Sequence, residues 1–547
     1  MKIRNLALII VLITLAACKT VKINKDGFAW KSFDSSERDQ LVDLSNYASP
    51  NDRDNQNKNK IVIVCASGGG SRAAAFTTGI MLEMERISIN STDNYPESNV
   101  LNEIDYFSTV SGGGWGASSY IAYLYQKNKY STAEYIKAIA DYNKSLPSWA
   151  TQTQSIESFS TFNSYEKYLA NRSDFRYYKY QIPLILTFRF GAAKSDKIMT
   201  NRLNAGYLGW SYREFIESRT WPFLHPVDTT YTTADEIMLG DVFKPKGEKC
   251  YMPLLIANTT NIDNYKLVPF TPDRLNYWGV NEYTHYLTGS QLLPSPDDIN
   301  QIPLASGIKA SSGIPFALSS STFRARKRDN YSQQSINYYL HLQDGGIIDQ
   351  QGMHTAKSIL LSSNIDKKEN RIVFIIDASS TGIENKKKFK KKNASRFYNL
   401  WRVVAPFSTP DAQYALTRER VKLFEQEYNC TVVYLGTEIL LDPSINYKNR
   451  IQPKSLPRRK KNVEEYFYSK YKTVKDSTTE FLNFDINERT LLYSYISQNV
   501  STWFASNGAK FKGRLLHDDN STAKIMFLAG RGVVQLKRSE IGILFNR

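Results

Sequence analysis

Short apolar runs, several ending in glycine-rich turns, alternate along this chain with longer stretches of helical spacing. Ile61–Ala66, Tyr106–Val110, Cys250–Ala257, Lys266–Phe270, Tyr338–Gln343, Arg371–Asp377 and Cys430–Leu435 predict strands from their apolar, β-branched and aromatic content. Ala73–Ile87, Ala117–Tyr125, Asp411–Tyr428 and Glu488–Ala505 predict helices. Ile308–Leu318 predicts a short helix broken by Pro315, and Lys524–Phe545 reads as strands. Strands alternating with helices imply an α/β sheet covered on both faces.

Two of the turns carry candidate chemistry. The strand Tyr106–Val110 stops at Ser111, and a helix restarts beyond Gly112, Gly113 and Gly114. A serine on so tight a strand-to-helix turn has its hydroxyl pushed into the open, beside backbone N–H groups and the positive end of a helix. That suits a nucleophile, although a glycine run here also serves as a plain turn or a phosphate cradle. Gly113 fills the second glycine position of a G-x-S-x-G elbow, and Thr109 stands in the first. Ile61–Ala66 leads likewise into Ser67-Gly-Gly-Gly-Ser-Arg72 and then a helix, a loop that aims N–H groups at an anion. The anion is either a nucleotide phosphate or the oxyanion of acyl transfer, and the chain lacks the G-K-[ST] and G-x-G-x-x-G spacings of nucleotide loops. Asp344 closes a strand and precedes Gly345 and Gly346, which let it turn into a cleft or simply make a tight turn.

Composition sets the scale. With 547 residues, 41% of them apolar and 22% charged, the chain buries a large core. No internal repeat is visible, so one large domain with insertions is the simplest organisation. It divides into an export signal over 1–18, a polar tether over 19–60, a main domain over 61–440 and a C-terminal extension over 441–547 packed on it. Within the main domain, about 128–249 is rich in Tyr and Phe and reads as a helical insertion or cap.

The N-terminus places the chain. Met-Lys-Ile-Arg followed by apolar Leu6–Ala17 has the charged and apolar regions of an export signal and is too short to span a bilayer. Leu15-Ala16-Ala17-Cys18 resembles the lipobox of bacterial lipoproteins, which implies lipidation at Cys18 and a membrane anchor at a periplasmic or cell-surface face. The formal charge of +17 favours anionic phospholipid as a partner; no nucleic-acid recognition motif is present. Lys386–Lys392 and Arg458–Lys461 are basic runs suited to exposed loops or to anionic lipid. Cys65, Cys250 and Cys430 sit in apolar runs as buried free thiols, and no cysteines or histidines have metal spacing, so neither a metal nor another cofactor is expected.

Four stretches taken in order, Ser-Gly-Gly-Gly-Ser-Arg-Ala at 67–73, Thr-Val-Ser-Gly-Gly-Gly-Trp at 109–115, Ala-Ser-Ser-Gly-Ile-Pro-Phe at 310–316 and Asp-Gly-Gly at 344–346, resemble the patatin-like and cytosolic phospholipase A superfamily. The resemblance implies a three-layer α/β sandwich with a mixed, mostly parallel central sheet. It also implies a lipid acyl hydrolase in which Ser111 is the nucleophile, Asp344 the base and Gly68, Gly69 and Gly70 the oxyanion hole. Gly112 and Gly113 would form the nucleophile elbow, and Arg72 would meet the substrate phosphate. None of the five histidines lies in a motif, in accord with a Ser–Asp dyad. Two positions depart from the family pattern: Thr109 replaces a glycine, and Asp349-Gln350 stands where an asparagine is usual. A general esterase or acyltransferase using the same dyad, or a lipoprotein that binds lipid without catalysis, are the alternatives.

Overall fold

The computed structural model describes residues 60–89, 98–130, 237–245, 252–285, 289–292, 296–313, 320–328, 335–378, 410–440, 485–499 and 521–545, with Leu44, Tyr47, Glu248, Val463 and residues 465–467 besides. The expected export signal with Cys18, nearly all of the expected tether and of the aromatic insertion, Cys250 and both basic runs lie outside the described residues. Among those described, no helix is long and apolar enough to cross a membrane.

The apolar run Ile61–Ala66 is strand β1, buried at every position. Burial on both faces is what a central parallel strand requires. It pairs in parallel with β4 (Tyr106–Thr109) on one side and β11 (Arg371–Asp377) on the other, and β11 pairs in parallel with β12 (Thr431–Gly436). A short ribbon of β2 (Ser88–Ile89) and β3 (Ser98–Asn99) stands apart. The chain leaves β1 towards β4 and leaves β11 away from β1, so the strand order reverses here, and such crevices at carboxyl ends hold ligands. Ser67 and Ser111 lie just past the carboxyl ends of β1 and β4.

The ten-stranded sheet changes character at β5 (Leu254–Asn261), which runs parallel to β4 but extends four residues further, since its Ala257 lies opposite the last residue of β4. The hairpin partner β6 (Lys266–Phe270) pairs antiparallel with Ala257–Asn261. Strand β10 (Ser335–Asp344) pairs antiparallel with Thr259–Asn261 and continues the sheet through β9 (Ser321–Arg328), β7 (Val280–His285) and β8 (Gly289–Leu292). Ala257 pairs with both β4 and β6, and Thr259–Asn261 pair with both β6 and β10. A residue pairs with one strand on each edge, so β4 and β10 share one edge of β5 and meet end to end across Asn258. This junction brings Ser111 and Asp344 together from strands of opposite direction.

Helix α1 (Gly70–Glu85) follows β1, and α2 (Gly112–Tyr130) follows β4. Helix α3 (Leu304–Ala310) ends short of the span expected for it, and residues 314–319 lie outside the described set. Helix α4 (Met353–Ser362) leads to β11, α5 (Pro410–Glu427) to β12, and α6 (Ile486–Asn499) follows later.

The last segment corrects the sequence reading. Ser521–Phe545 is one helix, α7, not a set of strands. Met526, Leu528, Ala529, Val533 and Val534 are all fully buried, and a run buried on most sides loses the one-faced periodicity that marks a helix. Packing on α1 overrides the strand preference of Val533 and Val534. The helices touch backbone to backbone: a Cβ on Gly79 would lie 2.1 Å from Phe527 O, and one on Gly530 would lie 2.3 Å from Phe76 O. Glu83 and Arg531 form a buried ion pair between them at 2.9 Å.

Candidate active site

Ser111 has φ +48°, in the left-handed region that few non-glycine residues adopt. Holding it there costs about 1–3 kcal/mol and needs a surrounding that over-determines the backbone. Gly112 and Gly113 supply the close approach. A Cβ on Gly112 would lie 1.9 Å from Gly70 O, and one on Gly113 would lie 2.5 Å from Ala66 O. Thr109 fits at the first elbow position because its Oγ1 donates to Ile256 O at 3.2 Å and because Gly114 leaves room beside it, a Cβ there falling 3.0 Å from that oxygen.

The Ala310–Gly313 segment braces the elbow. Ser111 N–H donates to Ser311 Oγ at 3.0 Å, and Trp115 Nε1 donates to Ser312 Oγ at 2.6 Å. Asp344 N–H donates to Gly313 O at 3.2 Å, tying Asp344 to the same segment. The Ser111 hydroxyl is itself buried and makes no aligned hydrogen bond among the described residues.

Asp344 is buried, and burial pushes its carboxyl from an ordinary 3.8 up to about 6, against the Gly346 N–H and, at a poorer geometry, the Ser111 hydroxyl, which both draw it down. Its Oδ1 accepts from Gly346 N at 2.8 Å, so one oxygen is held in the turn. His341 is engaged by Asp263 at 2.9 Å, and no described histidine bonds the Ser111 hydroxyl.

The glycine loop divides. Gly68 N–H donates to Gln350 O at 3.0 Å and is therefore spent, contrary to its expected place in an oxyanion hole. The N–H groups of Gly69, Gly70 and Gly112 have no acceptor among the described residues. Gly69 and Gly70 have φ of +142° and +60°, which explains why glycine stands at both. Ser67 Oγ accepts from Ala378 N at 2.9 Å and ties the loop to the end of β11.

Arg72 is buried, its Nη2 lying 3.4 Å from where a Gly69 Cβ would stand, and its Nε and Nη1 have no hydrogen-bond partner among the described residues. Burial lowers its pKa to about 10, while the charge of Asp377 raises it, so it stays cationic at neutral pH. Two unpaired buried guanidinium donors are costly unless an anion meets them.

Cys65 and Cys430 are free and buried, and burial raises both thiols. Among the described residues no group of three His, Cys, Asp or Glu side chains is placed to hold a metal ion.

With this geometry in view, the patatin-like phospholipase family model matches residues 64–356, just over half of the chain. The chain belongs to the patatin-like phospholipase family. The family is described by its phospholipase members. The solved structure of human GIVD cytosolic phospholipase A2 is similar at 10% identity and a TM-score of 0.32, over 89% of this chain and 60% of that one. Among curated proteins, none matches. The matched family span includes Ser67–Arg72, Ser111, Ala310–Gly313 and Asp344, and it stops well before α7.

Sequence reading missed Asn258, and it missed what Asp349, Gln350 and Ser311 do at this site. Asp349 accepts from Gly352 N at 3.1 Å and His354 N at 2.7 Å, capping α4, and the Gln350 side chain lies against both Gly68 and Gly346. These are the departures from the family pattern, and here they organise the loop after Asp344. Asn258 and Ser311 join the Ser111 turn to Asp344; Asn258 lies just beyond the apolar run Cys250–Ala257, in a strand buried at every position.

Proposed function

We propose that the chain is a membrane-anchored acyl hydrolase that cleaves carboxylic ester bonds of phospholipids or lysophospholipids through a Ser111–Asp344 dyad. The observation that carries this reading is the strained Ser111, whose hydroxyl lies beside a carboxyl raised to about 6, next to a glycine loop in which the N–H groups of Gly69, Gly70 and Gly112 have no acceptor among the described residues.

Ser111 Oγ attacks the ester carbonyl carbon while Asp344 takes its proton. The resulting oxyanion is met by the Gly69, Gly70 and Gly112 N–H groups at the start of α1 and α2, where helix ends add positive potential. As the tetrahedral intermediate collapses, Asp344 gives the proton to the leaving alcohol, and the acyl group stays on Ser111. Asp344 then takes a proton from water as the water attacks the acyl-serine, and returns it to Ser111 Oγ as the fatty acid leaves. Incubating purified protein with defined phospholipids, lysophospholipids and triacylglycerols, with mass spectrometry of the released acids, tests the substrate class. Release from triacylglycerol alone would overturn the phospholipid reading. The Leu15–Cys18 motif supports export and a lipid anchor, and the charge of +17 supports an anionic membrane as the surface on which the substrate lies.

Arg72 is proposed to meet the substrate phosphate, supported by its two unpaired donors. Arg72→Met is expected to lose about 1.5–3 kcal/mol of transition-state stabilisation on phospholipid. Hydrolysis of an uncharged nitrophenyl ester should change little. Equal losses in kcat/KM on both substrates would make Arg72 a brace for the loop.

The dyad also sets a pH dependence. Asp344 works as a base only when ionised, and its carboxyl lies near 6, so kcat/KM should fall about tenfold per pH unit below that value and level off above it. A profile flat down to pH 4 would mean that a carboxyl of ordinary acidity, or no carboxyl, takes the proton.

A further inference from the structure

Asn258 is buried at the point where β4 and β10 abut along β5, and three of its polar groups are used across that gap. Its Nδ2 donates to Ser108 Oγ at 2.9 Å and to Thr109 O at 3.1 Å, fastening the end of the nucleophile strand. Its Oδ1 accepts from Thr355 Oγ1 at 2.5 Å, and Ser108 Oγ passes on to Gly352 O at 2.5 Å, so the amide also reaches α4. Its backbone O accepts from Ser311 Oγ at 2.5 Å, and Ser311 in turn holds Ser111 N–H. On the base side, Gly345 packs on the same carbonyl, a Cβ there falling 2.2 Å from Asn258 O. The next residue of β5, Thr259, pairs with Asp344 itself.

We infer that Asn258 is a positioning residue that sets the separation of Ser111 and Asp344, an inference that rests on the dyad reading above. Two strand ends that meet without a ladder between them have no backbone hydrogen bonds to fix their spacing. A primary amide, with two donors and an acceptor, replaces that missing ladder. A hydrophobic residue of similar size would take the Asn258 donor from Thr109 O and Ser108 Oγ and the acceptor from the Thr355 hydroxyl, all in the core. Misplacing reacting groups by about 1 Å costs on the order of 10²-fold in rate, so the network is large enough to matter to turnover.

The test uses the full chain, with active sites counted by a fluorophosphonate reagent and kinetics followed on an uncharged nitrophenyl ester. Wild-type protein should be labelled at Ser111. Asn258→Ala should lower kcat per titrated site about 10²-fold with KM little changed. The acid limb of its pH profile should move upward, because a displaced Ser111 hydroxyl no longer draws the Asp344 carboxyl down. Thr355→Val, which removes only the bond to Oδ1, should shift both readouts in the same direction by less, and it carries the test if Asn258→Ala does not fold. A loss explained wholly by fewer titrated sites, with the acid limb unmoved, would overturn the inference and leave Asn258 a fold residue. Failure of wild-type Ser111 to react would instead overturn the dyad reading, and the positioning role with it.

Discussion

Ser111→Ala and Asp344→Asn should each lower kcat on a short-chain ester by on the order of 10⁴-fold or more, and the double variant should be no slower than either alone. Nucleophile and base act as one unit: without the hydroxyl there is nothing for the carboxylate to deprotonate, and without the carboxylate the hydroxyl stays a poor nucleophile at neutral pH. Both substitutions are small. The backbone at 111 is held by Ser311 and the glycine contacts rather than by Oγ, which makes no aligned bond. An asparagine at 344 retains an oxygen for Gly346 N–H and its own N–H for Gly313 O. Matching circular dichroism and melting curves should therefore accompany the loss. Substantial turnover by purified Ser111→Ala would falsify the assignment of the nucleophile. Turnover in Asp344→Asn alone would move the base elsewhere.

What could be read from the sequence was local. A strand, a glycine turn and a helix lie within about twenty residues around both Ser67 and Ser111, so their geometry follows from neighbours that the sequence displays side by side. Asp344 stood out at a strand end through its two glycines, which permit the turn that Gly346 N–H completes, and its expected role as base came from the family resemblance. The fate of Gly68 could not be read in the same way, because its N–H is taken by Gln350, far along the chain, whose position depends on the cap that Asp349 places on α4. Asn258 was hidden for a related reason. Its importance comes from two strands ending on the same edge of β5, a property of register that no single stretch encodes. The C-terminal helix was misread because the feature that would have revealed it, a polar face, is covered along much of its length by α1.

That covering predicts the second large effect, on stability rather than turnover. Arg531→Met should destabilise the protein by about 3–5 kcal/mol, measured by urea denaturation, because it takes the close cation from Glu83 in the core and leaves only Arg86, 4.0 Å away. The side chains are 2% and 3% exposed, so solvent screens the pair little, and Arg531 Nε lies 2.9 Å from Glu83 Oε2. Gln535 Nε2 donates to the other carboxylate oxygen at 3.2 Å and softens the loss without supplying a charge. Adding Glu83→Gln should recover most of the stability, since the buried charge is then gone along with its partner. Turnover per folded molecule should hardly move. Glu83 stands in the last turn of α1 and the glycine loop at its first, about 20 Å away along the axis, and the backbone contacts at Gly79 and Gly530 hold the two helices together between them. A cost under about 1 kcal/mol would mean that water or Arg86, 4.0 Å from the same oxygen, takes over the charge, and the helix pair would then owe its stability to the glycine contacts and the apolar face alone.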